Sequence, residues 1–437
     1  MLQQLSHHIN SHFSFLLDKK LLIACSGGLD STVLTRLFKE LEYNISLSHC
    51  NFSLRGKESD GDEKFVASLA DKLSIPIFNK TFDTKQYASK HKISTQMAAR
   101  DLRYEWFNEL CAAHSFDYVL TAHHLDDDLE TFFINLSRGT GLRGLTGIPE
   151  INDKTVRPLL NFSREEILNY AKDNKISWRE DSSNKKSDYL RNKVRLEVLP
   201  EYKKLTDSVL SSFQQTQYHL QDSQLLVNDY MMLIQALVVT KTKEGVQLNI
   251  QKLEELPNTN ALLYELLSSY GFTAWEDILD LLKAQSGKQV FSNTHRLVKN
   301  RGVLLLTEII DQDKVEIFSI SADLNEIKSP LHLEFENVNS VTEVNRNTIY
   351  IDKEKLTFPL ELRKWKDGDV FHPFGMKGKK KLSKFFKDEK LSLVAKEKIW
   401  VLVSDNKIVW VVGMRSDSRF KVGDDTNDIL KITFIEI

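Results

Sequence analysis

Cysteine is scarce: Cys25, Cys50 and Cys111 are the only three in 437 residues. They are too few and too scattered to brace a secreted fold, so a reducing compartment, the cytoplasm by default, is expected. No run approaches the ~18 consecutive apolar residues that a membrane-spanning helix needs. The opening MLQQLSHHINSHF lacks a basic flank followed by an apolar core, so an export signal is not expected either. Charge of one sign is also missing. With 59 Lys or Arg against 61 Asp or Glu, the net charge is −2, and a polyanionic partner has to be met by local basic patches. Neither a CxxC pair nor the common phosphate loop ending in Gly-Lys-Ser/Thr occurs, which excludes the usual NTPase pattern. The remaining composition, 41% apolar and 27% charged, is that of a globular chain long enough for about two to four domains.

Along residues 1–175, short strand-like runs alternate with longer segments of helical period. LLIACS (21–26) precedes an amphipathic stretch from Leu29 to Leu41, and ISLSHC (45–50) precedes one from Asp62 to Leu73. IPIFNKTF (75–82) leads into a stretch ending near Ala113, DYVLTAH (117–123) into Asp126–Ser137, and VRPLL (156–160) into Arg164–Asp173. This alternation predicts an α/β domain with a parallel, twisted sheet and right-handed crossover helices. In such sheets ligands bind beyond the carboxyl ends of the strands, and SGGLDS, HCNFSLRG and AHHLDDDLET each fall at one of those ends.

SGGLDS (26–31) directly follows the first strand. Gly27 and Gly28 permit a tight turn and close approach to a ligand, and the helix beginning near Leu29 offers unpaired N–H groups and a positive dipole end. The result is an anion cradle. Ser26 and Ser31 supply hydroxyls for phosphate oxygens, whereas Asp30 would repel a phosphate unless a divalent cation bridged them, so Asp30 predicts Mg²⁺. A glycine-rich turn that merely caps a helix is the plainer alternative. The strand before and the helix after favour the cradle.

In HHLDDDLET, Asp126 is placed to cap the helix, and Asp127 and Glu130, three apart, share a face. Such a carboxylate pair suits a metal or an ammonium group, and equally a solvated acidic first turn. His123 and His124 are not matched by a second His or Cys at a zinc spacing. Arg100 and Arg103 share a face toward phosphate or nucleic acid, or else pair with Asp101 and Glu105. Arg191 and Arg195 form a basic turn that either clamps phosphates or lies solvated. Between Glu361 and Lys387 there are nine Lys or Arg against three Asp or Glu, a local charge of +6. Phosphates are its natural counterpart. Phe371, Phe374, Phe385 and Phe386 interleave with these lysines and either stack on unpaired bases or form a small core.

SGGLDS resembles the SGGxDS signature of the N-type ATP pyrophosphatases. That resemblance implies cleavage of ATP between its α and β phosphates and adenylation of a carbonyl or carboxyl oxygen. HCNFSLRGKES, with His49, Leu54, Arg55 and Ser59, resembles the corresponding region of the tRNA(Ile)-lysidine synthetases. So do QMAARDLRYEWF (96–107), AHHLDDDLETFFINLSRGTGLRGLTGIP, VRPLL, ISWREDSSN and RNKVR (191–195). LRKWKDGDVFHPFGMKGKKKLSKFF and IVWVVGMRSDSRFKV resemble the C-terminal domain of the longer members. Asp128 stands where that family more often has Gln, which adds a negative charge beside the expected metal site.

The resemblance implies an ATP-dependent ligase that joins free L-lysine to carbon 2 of the wobble cytidine in CAU-anticodon isoleucine tRNA through an adenylated intermediate. ATP and Mg²⁺ are the implied cofactors, and no membrane partner is expected. A homodimer is the further assembly considered. Ser26, Gly27, Gly28, Leu29, Asp30 and Ser31 are expected to bind ATP, with Asp30 and Asp127 holding metal and Asp30, Asp127, Glu130 and Arg195 forming the catalytic set. His49, Arg55, Arg100, Arg103, Arg191, Lys379, Lys380 and Lys381 are expected at the substrate or the tRNA. A pyrophosphatase domain is expected over 1–200, then a linker helix over 201–235 with Leu205, Val209, Phe213, Leu220 and Val227 as core contacts. Smaller mixed α+β domains are expected over 236–315 and 316–437. The rival readings are a tRNA thiolase, disfavoured by cysteine usage, and a non-catalytic ATP-responsive RNA-binding protein, disfavoured by the intact acidic residues.

Overall fold

The computed structural model describes residues 1–180, 190–309, 317–343 and 345–436. The chain divides into two compact units, Met1–Asn228 and Asp229–Ile437.

Unit 1 is built on six strands: β1 (Leu21–Ala24), β2 (Ile45–Asn51), β3 (Ile77–Thr81), β4 (Tyr118–Leu120), β5 (Ile151–Asn152) and β6 (Thr155–Val156), in the order β3-β2-β1-β4-β6-β5. The first five in that order run parallel, as the alternating sequence requires. Only β5 runs antiparallel, through a two-residue hairpin at the edge. β1 is a short apolar run because both its faces are covered: Leu21 and Ile23 join one cluster with Val33, Leu37 and Phe38, and Leu22 joins another with Trp106, Phe107 and Phe116. VRPLL is not a strand throughout. β6 stops at Val156, with Pro158 two residues on, where a missing N–H cannot continue a ladder.

The helices are α1 (Leu2–His12), α2 (Leu29–Glu40), α3 (Lys57–Leu73), α4 (Thr84–His91), α5 (Thr95–His114), α6 (Leu125–Ser137), α7 (Leu142–Leu145) and α8 (Arg164–Asp173). Where one stretch was expected before Ala113 there are two helices. Asp83 and Ser94 each accept from the backbone N–H three residues on and start α4 and α5 separately. From residue 190 onward come α9 (Leu190–Lys193), a π-helical turn over Val194–Val198, α10 (Leu199–Lys203) and the 30-residue α11 (Val209–Val238). Val209 and Phe213 are buried, but Leu205 is 70% exposed, because it falls in the break between α10 and α11 and not on a helix face.

Unit 2 holds a five-stranded antiparallel sheet in the order Val239–Thr242, Gly245–Asn249, Val303–Glu308, His295–Asn300, Gln289–Phe291. Helices Ile250–Glu254, Thr259–Leu267 and Trp275–Lys283 accompany it. Two further antiparallel sheets follow. One joins Ile317–Ile320, Leu360–Lys364, Trp400–Ser404, Lys407–Val411 and Arg415–Ser416; the other joins Glu326–Ile327, His332–Val338, Ile429–Ile435 and Thr348–Asp352. Phe371, Phe385 and Phe386 are at 0, 2 and 0% exposure, packed with Val401, Val403 and Val411. They are core, not a stacking platform. Of the four interleaved aromatics only Phe374, at 48%, reaches solvent.

Candidate active site

β1 ends at Ala24 and the chain turns through Ser26, Gly27 and Gly28 into α2. Gly27 has φ +86°, the left-handed region that favours glycine, and a Cβ there would meet Val66 at 3.1 Å and Phe65 at 3.3 Å. Gly28 is the N-cap of α2 and supplies no side chain to its first turn, so those N–H groups are left for a ligand. The Ser31 hydroxyl donates to Gly28 O (3.2 Å) and accepts from Ser26 N (3.2 Å), and the two serine hydroxyls lie 3.1 Å apart. The loop is thus closed on itself, with its hydroxyls already gathered. Leu29 is buried and belongs to the core beneath the loop.

An open cleft of about 430 Å³ lies over this loop. Ser26, Asp30 and Ser31 line it from the loop, Asp127 from α6, and Arg191 and Arg195 from the segment that begins at α9. Opposite them, Cys50, Phe52, Arg103, Tyr104 and Phe107 form a wall that is largely apolar and aromatic. Arg103 lies over the Phe52 ring at 5.3 Å, and Arg100 over Tyr104 at 5.1 Å; Arg100 does not line the cleft. Phe52, Tyr104 and Phe107 were missed by residue-level reasoning although they lie inside HCNFSLRG and RDLRYEWF. An aromatic beside a motif reads as core until its partner across the cleft is known.

Asp127 and Glu130 do share a face of α6, and the basic turn meets them. Arg195 Nη2 donates to Asp127 Oδ1 (3.2 Å) and Glu130 Oε2 (2.9 Å), its Nε donates to Glu130 Oε1 (2.5 Å), and Arg191 Nε lies 3.2 Å from Glu130. Burial pushes the Glu130 carboxyl up, against the pull of Arg195. Burial lowers the Arg195 pKa, but the Glu130 hydrogen bond and the charges of Glu130 and Asp127 outweigh it, so the guanidinium is held more firmly charged than usual. Glu130 is 1% exposed and stands behind Asp127, outside the cleft lining.

The cap of α6 is not Asp126. His124 Nδ1 accepts from Asp127 N (3.3 Å) while Asp127 Oδ2 accepts from His124 N (3.1 Å), a reciprocal capping box. Asp126 is turned away, accepting from Arg164 N (2.8 Å) and from Lys203. Because Nδ1 is an acceptor, a neutral His124 carries its proton on Nε2, which lies 3.7 Å from Asp30 Oδ1 and 3.4 Å from Asp127 Oδ2. Burial lowers the His123 pKa to about 4, against the pull of Asp127, so that ring is neutral at pH 7.

Burial also raises the Asp30 pKa, His124 opposing it. Asp30 Oδ1 is buried without a hydrogen-bond partner, and the His124 ring neighbours both it and Asp127 Oδ2. A second hard oxygen nearby and an unpaired oxygen on the partly exposed Asp30 carboxylate fit a divalent cation. Among the described residues, the one cluster of three or more ligand side chains within 4.8 Å of one another is Glu326, His332 and Glu334 in unit 2, so no zinc-type histidine site forms at His123 and His124.

Asp128 does not add charge to the cleft. One residue along a helix is a turn of about 100°, and its carboxylate points to the following loop, where Oδ1 accepts from Ile148 N at 2.5 Å. His49 is 3% exposed on the opposite face of β2 from Ser48 and Cys50; its Nδ1 lies 2.9 Å from Cys25 O, supporting β1 from behind. It does not reach the cleft. Arg55 bonds Asp62 Oδ2 at 2.9 Å beneath the loop. In unit 2, Lys379 and Lys381 are exposed, while Lys380 pairs with Asp388 at 2.7 Å. Asp181, Ser182, Ser183 and Asn184 of ISWREDSSN lie outside the described residues.

Comparison with known proteins places the chain in a family. Residues 1–202 match the PP-loop domain family, 241–309 the TilS substrate binding domain and 360–432 the TilS substrate C-terminal domain. The chain is 39% identical over 424 residues to the tRNA(Ile)-lysidine synthase of Parabacteroides distasonis, covering 96% of each. It is 38% identical over 434 residues to that of Bacteroides thetaiotaomicron, covering 98% of each. Among solved structures, a U34-tRNA thiolase from Methanococcus maripaludis aligns at 18% identity and TM-score 0.43 over 51% of this chain and 78% of that one.

Proposed function

The chain belongs to the tRNA(Ile)-lysidine synthase family, and from that premise we propose that it ligates lysine to carbon 2 of the wobble cytidine of CAU-anticodon isoleucine tRNA through an adenylated intermediate. The observation that carries this reading is the cleft in which the SGGLDS loop faces the Asp127, Arg191 and Arg195 cluster. The two reacting ends of an adenylation followed by an amine attack fit that arrangement.

The cytidine carbon-2 oxygen attacks the α-phosphorus, and pyrophosphate leaves. The side-chain amine of lysine then attacks carbon 2, the C–O bond breaks, AMP departs with the oxygen, and one proton goes to solvent. A carbonyl oxygen is a poor leaving group and adenylation makes it a good one. Ser26, Ser31 and the first-turn N–H groups of α2 take phosphate oxygens. Asp30 and Asp127 are the residues that would hold Mg²⁺, whose charge offsets that of the departing pyrophosphate. Asp127, with Glu130 behind it, supplies acceptors for a lysine ammonium, and Arg195, bonded to both carboxylates, fixes their orientation. Phe52 and Arg103 offer a flat face to a base. The exposed Lys379 and Lys381 in unit 2 are suited to the phosphate backbone of the tRNA.

Sulfur transfer is opposed by the thiols themselves. Cys25 and Cys50 line the cleft, but burial raises both, Cys50 to about 12, so neither is a thiolate at neutral pH. Incorporation of labelled lysine into a CAU-anticodon isoleucine tRNA transcript, with ATP and with or without Mg²⁺, against a CAU methionine tRNA control, tests the reading. Incorporation into the isoleucine transcript alone is expected. AMP release without lysine incorporation would refute the choice of nucleophile.

A further inference from the structure

The ISWREDSSN segment has no role in the chemistry above, yet Arg179 within it touches the phosphate loop from behind. Arg179 N donates to Gly27 O at 3.0 Å. The Gly27–Gly28 peptide is trans, so its carbonyl and the Gly28 N–H point in opposite directions. Drawing Gly27 O back toward Arg179 therefore aims Gly28 N–H forward, to the side where the Ser26 hydroxyl accepts it at 3.3 Å and where a phosphate oxygen would sit.

The Arg179 backbone is itself fixed by its side chain. Nε donates to Asp62 Oδ1 at 2.5 Å, and the other oxygen of Asp62 accepts from Arg55 Nη2 at 2.9 Å. Asp62 is 9% exposed, on the helix whose Val66 and Phe65 back onto Gly27. At Gly61 the guanidinium lies where a side chain would begin: a Cβ there would meet Arg179 Nη2 at 3.0 Å. One buried carboxylate thus gathers two guanidiniums and ties α3, the segment at 179 and the loop together.

We propose that Arg179 and Asp62 are positioning residues for the nucleotide: a clamp that presets the Gly28 N–H toward the ATP phosphates without touching substrate. This rests on the reading that the SGGLDS loop receives those phosphates. It also gives Arg55 a place as the second tie on Asp62, instead of a tRNA contact.

The test is calorimetric binding of the non-cleavable analogue α,β-methylene-ATP with Mg²⁺ to the full chain, alongside tRNA binding and melting temperature. Asp62→Asn keeps the shape but removes the charge that holds both arginines, and Arg179→Ala keeps the backbone N–H but frees it. Each is expected to weaken nucleotide binding about tenfold, or roughly 1.4 kcal/mol, with tRNA affinity and the KM for lysine within twofold of wild type. Arg179→Lys, which retains a charge for Asp62, is expected to recover part of the loss and serves if the alanine variant does not fold. Nucleotide affinity within twofold of wild type in folded variants, with only the melting temperature lowered, would make the contact a structural brace and overturn the clamp alone. A wild-type chain that does not bind the analogue would overturn the phosphate reading and the clamp with it.

Discussion

Replacing Asp128 by asparagine should flatten the pH dependence of unit 1. The Asp128 carboxyl is pushed from 3.8 up to about 7, by burial first, with the Ile148 N–H opposing and Asp127 adding. Near pH 6 the folded chain holds a proton that the unfolded chain has released, so the slope of stability against pH is negative. Stability from this group falls as pH rises from the ordinary carboxylate value, and the fall ends once pH passes about 7. Between pH 6 and 8 the loss is about 1.4 kcal/mol. For a unit the size of Met1–Asn228, that is about 3–5 °C in melting temperature. The asparagine side chain keeps an oxygen for Ile148 N and never ionises. Calorimetric melts of wild type and Asp128→Asn at pH 6, 7 and 8 should therefore diverge by that amount as pH rises, while the contributions of other groups, such as the low-pKa His123, cancel in the difference. Parallel curves would mean the carboxylate is already ionised in the fold, and the reasoning from burial would fail.

Arg195→Ala leaves the buried Glu130 with Arg191 alone; a stability loss of about 3 kcal/mol and loss of lysine incorporation are expected, read by melting and by the labelled-lysine assay. Gly147 sits at φ +78° with a Cβ position 2.3 Å from Asp128 Oδ1, so Gly147→Ala should cost more than about 1 kcal/mol, seen as a lowered melting temperature. Phe386→Ala should destabilise unit 2 by about 3–5 kcal/mol, whereas Phe374→Ala should leave melting unchanged. Removing Lys379 and Lys381 together should reduce the salt slope of tRNA binding by about two, measured by titration at several salt concentrations.

The parallel sheet, the loop after β1 and the shared face of Asp127 and Glu130 were legible because each depends on local chemistry: apolar runs ending in turn residues, glycines before a helix, carboxylates three apart; that Arg191 and Arg195 pair with those carboxylates was not. Directions in space were less so. Asp126, Asp127 and Asp128 look alike in sequence, yet each faces a different partner, since successive helical side chains fan out by about 100°. The cap was misread because His124, an uncommon capping residue, precedes three acids that are better known for it. Phe385 and Phe386 alternate with lysines in a way that suits either a core or a surface, and only the strands at Val401 and Val411 decide it. Asp62 and Arg179 are 117 residues apart, beyond what any spacing rule reports.

That last separation bears on how the protein is made. Synthesis runs from the N-terminus, so the glycine turn after β1 leaves the ribosome early, while the residue that holds its carbonyl leaves only when the domain is almost complete. A partly synthesised chain has the turn without its tie. Nucleotide would then bind chains that have not reached this point about tenfold more weakly, and ATP would act as a stronger folding ligand for the finished domain than for the nascent one.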